Sequence, residues 1–179
     1  MKINIVMSTY NGEQFLAEQI DSIQQQTFKD WQLLIRDDGS SDQTPEIIKS
    51  FVAQDPRIVF INEHDRENFG VIKNFFTLIK HDKADYYFFS DQDDVWLEDK
   101  LETMLAAARQ YPDQLPLIVY TDLCVVYQNL QVMNQSMIRS QSHHANTELV
   151  QELTENTVTG GVAMINHALA ERWRTLDNI

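Results

Sequence analysis

Tyr86-Tyr87-Phe88-Phe89-Ser90-Asp91-Gln92-Asp93-Asp94-Val95-Trp96 carries an unbroken aromatic run straight into an acidic turn. Four aromatic residues without polar alternation predict a strand packed on both faces, the pattern of a central strand in a helix-covered parallel sheet. The acidic residues leave that strand at its carboxyl end, where open α/β sheets gather their ligands.

Outward from this strand, short apolar runs alternate with amphipathic segments, the signature of βαβ units. Residues 3–8 read as a first strand and 13–25 as a first helix, with Phe15, Leu16, Gln19, Ile20 and Ile23 at helical spacing. Residues 31–36 form a second strand. Thr44-Pro45-Glu46 opens the next helix, with Thr44 as cap and proline at the first position. A brief strand at 58–61 and a helix at 70–80 precede the aromatic strand, and a helix at 97–110 follows it. Residues 117–121 and 123–127 read as strands, the polar stretch 129–156 as a mobile excursion over the sheet, 158–165 as a strand and 168–173 as a helix. The expectation is one α/β domain over residues 1–179, built on a mostly parallel central sheet.

Composition narrows the function. The chain of 179 residues has a formal net charge of −13, which opposes a nucleic-acid partner and suits recruitment of a divalent cation to an anionic ligand. No apolar run reaches the roughly 20 residues a membrane-spanning helix needs, and the first residues are too short and too polar for a signal peptide. The single cysteine, Cys124, lies in Leu123-Cys124-Val125-Val126 and is expected to be a buried structural thiol, compatible with a reducing cytoplasm.

Three strand ends carry polar, turn-forming residues: Ser8-Thr9-Tyr10-Asn11-Gly12, Asp37-Asp38-Gly39-Ser40-Ser41-Asp42 and Asp91-Gln92-Asp93-Asp94. A carboxylate of the Asp37-Asp38 pair is placed to accept the imide N–H of uracil or thymine while Tyr10 packs on the base; the same pair also suits a turn in which aspartate caps local amides. Asp91 and Asp93, two apart after a buried strand, offer hard oxygen ligands to Mg²⁺ or Mn²⁺ bridging a diphosphate. Asp94 or Glu98 reads as an acidic cap for the following helix. There is no G-x-G-x-x-G fingerprint and no phosphate loop of the G-x-x-x-x-G-K-[ST] type. His143-His144 has no partner at metal-ligand spacing and reads as surface, and Cys124 has no evident histidine partner for nucleophilic catalysis.

Together with Ser22-Ile23-Gln24-Gln25-Gln26-Thr27-Phe28, Leu34-Ile35-Arg36-Asp37-Asp38-Gly39 and Asn68-Phe69-Gly70-Val71-Ile72-Lys73-Asn74-Phe75, these motifs resemble the family 2 glycosyltransferases of GT-A fold, over essentially the whole chain. The form Ser90-Asp91-Gln92-Asp93-Asp94-Val95-Trp96 is most similar to bacterial enzymes that build rhamnose-containing cell-wall and capsule polysaccharides. The resemblance implies that Ser8, Thr9, Tyr10 and Asp38 bind the nucleotide, that Lys73 approaches it, that Asp93 is the principal metal ligand, and that Asp91 supports metal or ribose. It implies a donor or acceptor pocket of Trp96, Thr159, Gly160 and Gly161.

It further implies a nucleoside-diphosphate sugar as donor (dTDP-rhamnose or a UDP-sugar), a saccharide or lipid-linked saccharide as acceptor, and Mn²⁺ or Mg²⁺ as cofactor. The place implied is the cytoplasm, at the inner face of the plasma membrane, with peripheral contact only. Inverting members of the family carry a catalytic aspartate further on. After Gly161 only Glu171 and Asp177 are acidic. The base is therefore expected beyond Ile179, with Asp177 as the alternative, and residues 1–179 are expected to bind donor but transfer sugar poorly. Two rivals differ in class. A phosphotransferase with Asp91 as nucleophile, as in haloacid-dehalogenase-like enzymes, shares only the D-x-D, and a non-catalytic nucleotide-sugar sensor would bind without needing a divalent ion.

Overall fold

The computed structural model describes residues 1–141, 143–146, 148, 151 and 157–176. Its main sheet has the order β3-β2-β1-β4-β8-β5, formed by β1 (Ile3–Thr9), β2 (Gln32–Asp37), β3 (Ile58–Phe60), β4 (Tyr86–Ser90), β5 (Ile118–Tyr120) and β8 (Ala163–Asn166). The pairs β1·β2, β1·β4 and β2·β3 are parallel, and β8 runs antiparallel to both of its neighbours. Five strands thus point one way and β8 returns between two of them. β6 (Val125–Val126) and β7 (Val132–Asn134) form a separate antiparallel pair.

The aromatic strand divides its side chains between two faces, as a pleated strand must. Tyr86 and Phe88 join a core with Leu16, Ile20 and Ile23 of α1 (Leu16–Gln24), Ile48 of α2 (Thr44–Gln54), and Leu101, Met104 and Leu105 of α4 (Lys100–Ala108). Tyr87 and Phe89 join a second core with Leu78 and Ile79 of α3 (Val71–His81) and Ala170 of α6 (His167–Arg174). Both faces of β4 are therefore covered, and its central place explains its continuous apolar run. Removing a ring such as Phe88, fully buried, would cost about 3–5 kcal/mol.

Several expectations need correction. Gln43, not Thr44, is the N-cap of α2, without a side-chain cap bond; Asp42 Oδ1 accepts from Thr44 N at 3.0 Å just ahead of the helix, while Thr44 Oγ1 accepts from Gly12 N at 2.8 Å. Neither Asp94 nor Glu98 caps α4, whose N-cap is Asp99 without a side-chain cap bond. Among the described residues, 123–127 do not enter the main sheet; they supply β6, which pairs with β7. For that reason Cys124 is exposed rather than buried, its Sγ 3.4 Å from Gln135 O. Within 129–156 the described residues include β7 and a short helix, α5 (Met137–Ser140), whose N-cap Ser136 accepts from Arg139 N. The strand expected at 158–165 begins only at Ala163, after a 3₁₀ turn at Gly160–Val162. Among the described residues no helix is long and apolar enough to cross a membrane.

Candidate functional site

Register places three loops at one edge of the sheet. Thr9 lies opposite Asp37 and Met7 opposite Ser90, so the segments leaving β1, β2 and β4 emerge side by side. Side chains then stitch them together. Gln92 binds the backbone of Tyr10 twice, accepting from Tyr10 N at 2.8 Å and donating to Tyr10 O at 3.0 Å. Asn11, at a positive φ of 47°, accepts at its Oδ1 from Ser41 N at 2.9 Å, and its own N–H donates to Ser40 Oγ at 2.8 Å. Beneath the acidic loop, buried Gln19 of α1 accepts from Ser90 Oγ and Trp96 Nε1 and donates to Asp94 O in the amide orientation that satisfies these neighbours.

The adjacent aspartates at the end of β2, Asp37 and Asp38, have separate tasks. Asp37 takes the local-turn role: its carboxylate accepts from Ser40 N at 2.8 Å, Gly39 N at 3.1 Å and Thr9 Oγ1 at 3.0 Å. Gly39 makes that turn at φ 84°, and a Cβ there would lie 2.7 Å from Arg66 O. Asp38, 4% exposed, pairs with Arg36 at 3.1 Å and accepts from Phe69 N at 2.6 Å and Gly70 N at 2.9 Å. Oδ1 thus accepts from two donors and Oδ2 from one. Arg36, 1% exposed, also donates to Asn74 Oδ1 and Glu67 O, and stacks 3.9 Å from the Phe69 ring centroid. This buried cation binds β2, the 66–70 loop and α3 into one unit.

The acidic loop is unevenly engaged. Asp93 is exposed and is held by no hydrogen bond or ion pair with the described residues. Asp91 is half-buried and accepts from Gly161 N at 3.1 Å. Burial, and then the neighbouring Asp93 charge, push the Asp91 carboxyl above the ordinary carboxylate range. Burial followed by the Asp91 charge does the same to Asp94. Lys100 offsets part of this repulsion, and its own ammonium is lowered by burial to about 8 while Asp94 and Asp91 hold it up. Crowded carboxylates with an incomplete counter-charge are the arrangement a divalent cation relieves, and their hard oxygens are of the type that Mn²⁺ and Mg²⁺ take. No group of three or more His, Cys, Asp or Glu able to hold a metal occurs among the described residues. A cation here would complete its shell with oxygens from phosphate and water.

Other expected residues are distributed unequally. Ser8 is half-buried, Thr9 buried, and Tyr10 presents a ring 52% exposed. Lys73 is exposed on α3 with its Nζ 4.1 Å from the Phe69 ring centroid, over the loop that Asp38 holds. Gly160 and Gly161 abut Asp91, and Thr159 is half-buried beside them. Trp96 does not line an open pocket. It is 4% exposed and packs near Phe88, because its backbone N–H donates to Ser22 Oγ and turns it into the core. Asp177 lies outside the described residues. The sequence reading does not single out Gln92, Arg36, Gln19, Asp94 and Lys100 as site residues; of these Gln92 and Asp94 carry a positional signal, in the acidic turn after the aromatic strand.

The sequence model of the family described as Glycosyl transferase family 2 matches residues 4–174. The dTDP-rhamnosyl transferase RfbG of Shigella flexneri is 40% identical over 102 residues, which cover 55% of this chain and 35% of that protein. WfgD of Escherichia coli, a UDP-Glc:alpha-D-GlcNAc-diphosphoundecaprenol beta-1,3-glucosyltransferase, is 28% identical over 136 residues, covering 76% of this chain and 48% of that one. The chain thus spans half or less of the length of these relatives. Among solved structures, Staphylococcus aureus TarS 1-349 with UDP aligns over 96% of this chain and 48% of its own, with TM-score 0.69 and 20% identity. A Pyrobaculum calidifontis mannosyltransferase with GDP-Man and Mn²⁺ aligns over 95% of this chain and 46% of its own, with TM-score 0.65 and 18% identity. These likenesses bear out the GT-A fold.

Proposed function

Because the chain belongs to glycosyl transferase family 2, we propose that it binds the donor of a transferase moving sugar from a nucleoside-diphosphate sugar to a saccharide or lipid-linked saccharide during surface-polysaccharide synthesis. The observation that carries this reading is the exposed Asp93 beside half-buried Asp91, at the same sheet edge as the exposed ring of Tyr10. The base stacks on Tyr10, and its imide N–H is received by the Asp38 carboxylate. Ser8 and Thr9 flank the ribose, and Lys73 approaches the nucleotide from α3. Thr159, Gly160 and Gly161 border the sugar, where glycine allows close approach of the backbone.

Asp93, with Asp91 behind it, would hold Mn²⁺ or Mg²⁺, and the bound ion would neutralise charge developing on the departing diphosphate. Transfer inverts the anomeric centre, with a carboxylate base taking the proton of the acceptor hydroxyl. Two relatives whose names specify dTDP-rhamnosyl and UDP-Glc transfer support a thymine or uracil nucleotide, and the diphosphoundecaprenol named for one supports a lipid-linked acceptor.

Calorimetric titration of the 179-residue chain with UDP and dTDP, each with Mn²⁺ and with EDTA, tests the proposal. Binding that Mn²⁺ strengthens is the expected result. Absence of binding to either nucleotide with Mn²⁺ would refute it.

A further inference from the structure

Lys100 opens α4 and reaches back beneath the acidic loop. Its Nζ donates to Gly161 O at 2.9 Å and lies 4.1 Å from the Trp96 ring centroid. Gly161 N donates in turn to Asp91 Oδ2 at 3.1 Å. A single residue ahead of β8 is therefore gripped at both of its backbone polar groups, by partners 61 and 70 positions away in sequence. The fit leaves no space for a side chain, since a Cβ on Gly161 would lie 2.5 Å from Asp94 Oδ2 and 2.8 Å from Asp91 Oδ2. Without Lys100, Gly161 O would lose its partner, and Asp91 and Asp94 would face each other without the nearby cation.

We propose that Lys100 is a positioning residue: by clamping Gly161 against Asp91 and Asp94 it commits Asp91 to the β8 side and leaves Asp93 as the carboxylate presented to a metal-bound diphosphate. The inference rests on the donor-site reading above. Deleting a positive charge beside carboxylates, by electrostatics alone, strengthens their attraction for a divalent cation. A clamp predicts the reverse, because the acidic loop relaxes once Gly161 is released.

The test compares wild type and Lys100→Met, which keeps the aliphatic bulk against Trp96, by UDP calorimetry with Mn²⁺ and with EDTA and by amide exchange at Gly161. The expected result is a loss of about tenfold in affinity with Mn²⁺, the scale of one charge-assisted hydrogen bond. Affinity in EDTA stays within about twofold on the same scale, and the Gly161 amide loses protection. Lys100→Met binding as tightly as wild type, or tighter, with Mn²⁺ overturns the clamp while the donor site stands. A wild type that shows no Mn²⁺-dependent nucleotide binding overturns the donor site and this inference with it. Should Lys100→Met not fold, Gly161→Ala attacks the clamp with every charge retained. It too should lose Mn²⁺-dependent affinity, and unchanged affinity would overturn the proposal.

Discussion

Gln92 exchanges two hydrogen bonds with the backbone of Tyr10, at 2.8 and 3.0 Å, and so joins the loop after β4 to the loop after β1. The central residue of the D-x-D is thus a strut between the acidic loop and the aromatic loop at this edge of the sheet. Gly12 shares in this arrangement, since a side chain there would run into the Gln92 amide.

Replacing Gln92 by alanine removes both bonds from a surface loop while the core stays intact. Nucleotide diphosphate affinity should fall about tenfold, as expected for two hydrogen bonds of roughly 0.5–1.5 kcal/mol each, with little change in melting temperature. Gln92→Glu should be intermediate, because a carboxylate keeps the acceptor for Tyr10 N and loses the donor to Tyr10 O. Titration calorimetry beside thermal melts separates binding from stability.

The Arg36–Asp38 pair behaves differently because it is buried. Arg36→Met strands the Asp38 carboxylate and should destabilise the fold by about 3–5 kcal/mol in urea denaturation. The double variant Arg36→Met/Asp38→Asn should cost less than the sum of its parts, since both changes remove one network.

Trp96 distinguishes core from pocket. Trp96→Ala should cost about 3–5 kcal/mol through the cavity it opens. Trp96→Phe, which keeps most of the packing, should leave nucleotide affinity within about twofold, a difference small beside one hydrogen bond. A large affinity loss in a well-folded Trp96→Phe protein would return this side chain to the ligand pocket.

Acid stability has an identifiable contributor. Asp55 accepts from Arg57 Nη2 at 2.7 Å and Nε at 3.0 Å, and from Gln24 Nε2 at 2.9 Å, joining the end of α2 to α1. Its hydrogen bonds with Arg57 hold the carboxyl well below the ordinary range despite burial. A depressed folded-state value means that this stabilisation is complete above the unfolded value of about 3.9 and is lost as pH falls through the folded one. Asp55→Asn should therefore lower stability at neutral pH, by roughly 1.5–3 kcal/mol, and flatten the acid limb of the stability curve below about pH 4.

The sheet was legible because periodicity reports burial. Tyr86–Ser90 is legible with its boundaries intact, and the helices around α1, α2, α3 and α4 differ only at their ends, where N-caps such as Gln43 and Asp99 carry no side-chain cap bond and so leave no capping signal in the sequence. The region from Leu123 onward is less legible: short apolar pairs such as Val125–Val126 look alike whether they join a core sheet or a peripheral hairpin, and the same pattern puts Cys124 in a core it does not join. At the candidate site the loop residues were legible, since turn-forming and acidic types cluster after strands. Their supports were not. Lys100 and Arg36 lie in stretches that read as ordinary helix and strand, and only the fold brings Gly161 to one and Asn74 to the other. Trp96 shared a motif with the aspartates yet turns inward, because adjacency in sequence says nothing of which side of a turn a ring takes.

The most direct measurement is the Mn²⁺ dependence of UDP and dTDP affinity in Asp93→Ala beside wild type. Wild type should bind more tightly with Mn²⁺ than with EDTA, and Asp93→Ala should bind alike in both, at the wild-type EDTA level. An Asp93→Ala protein that kept the full Mn²⁺ enhancement would contradict the account.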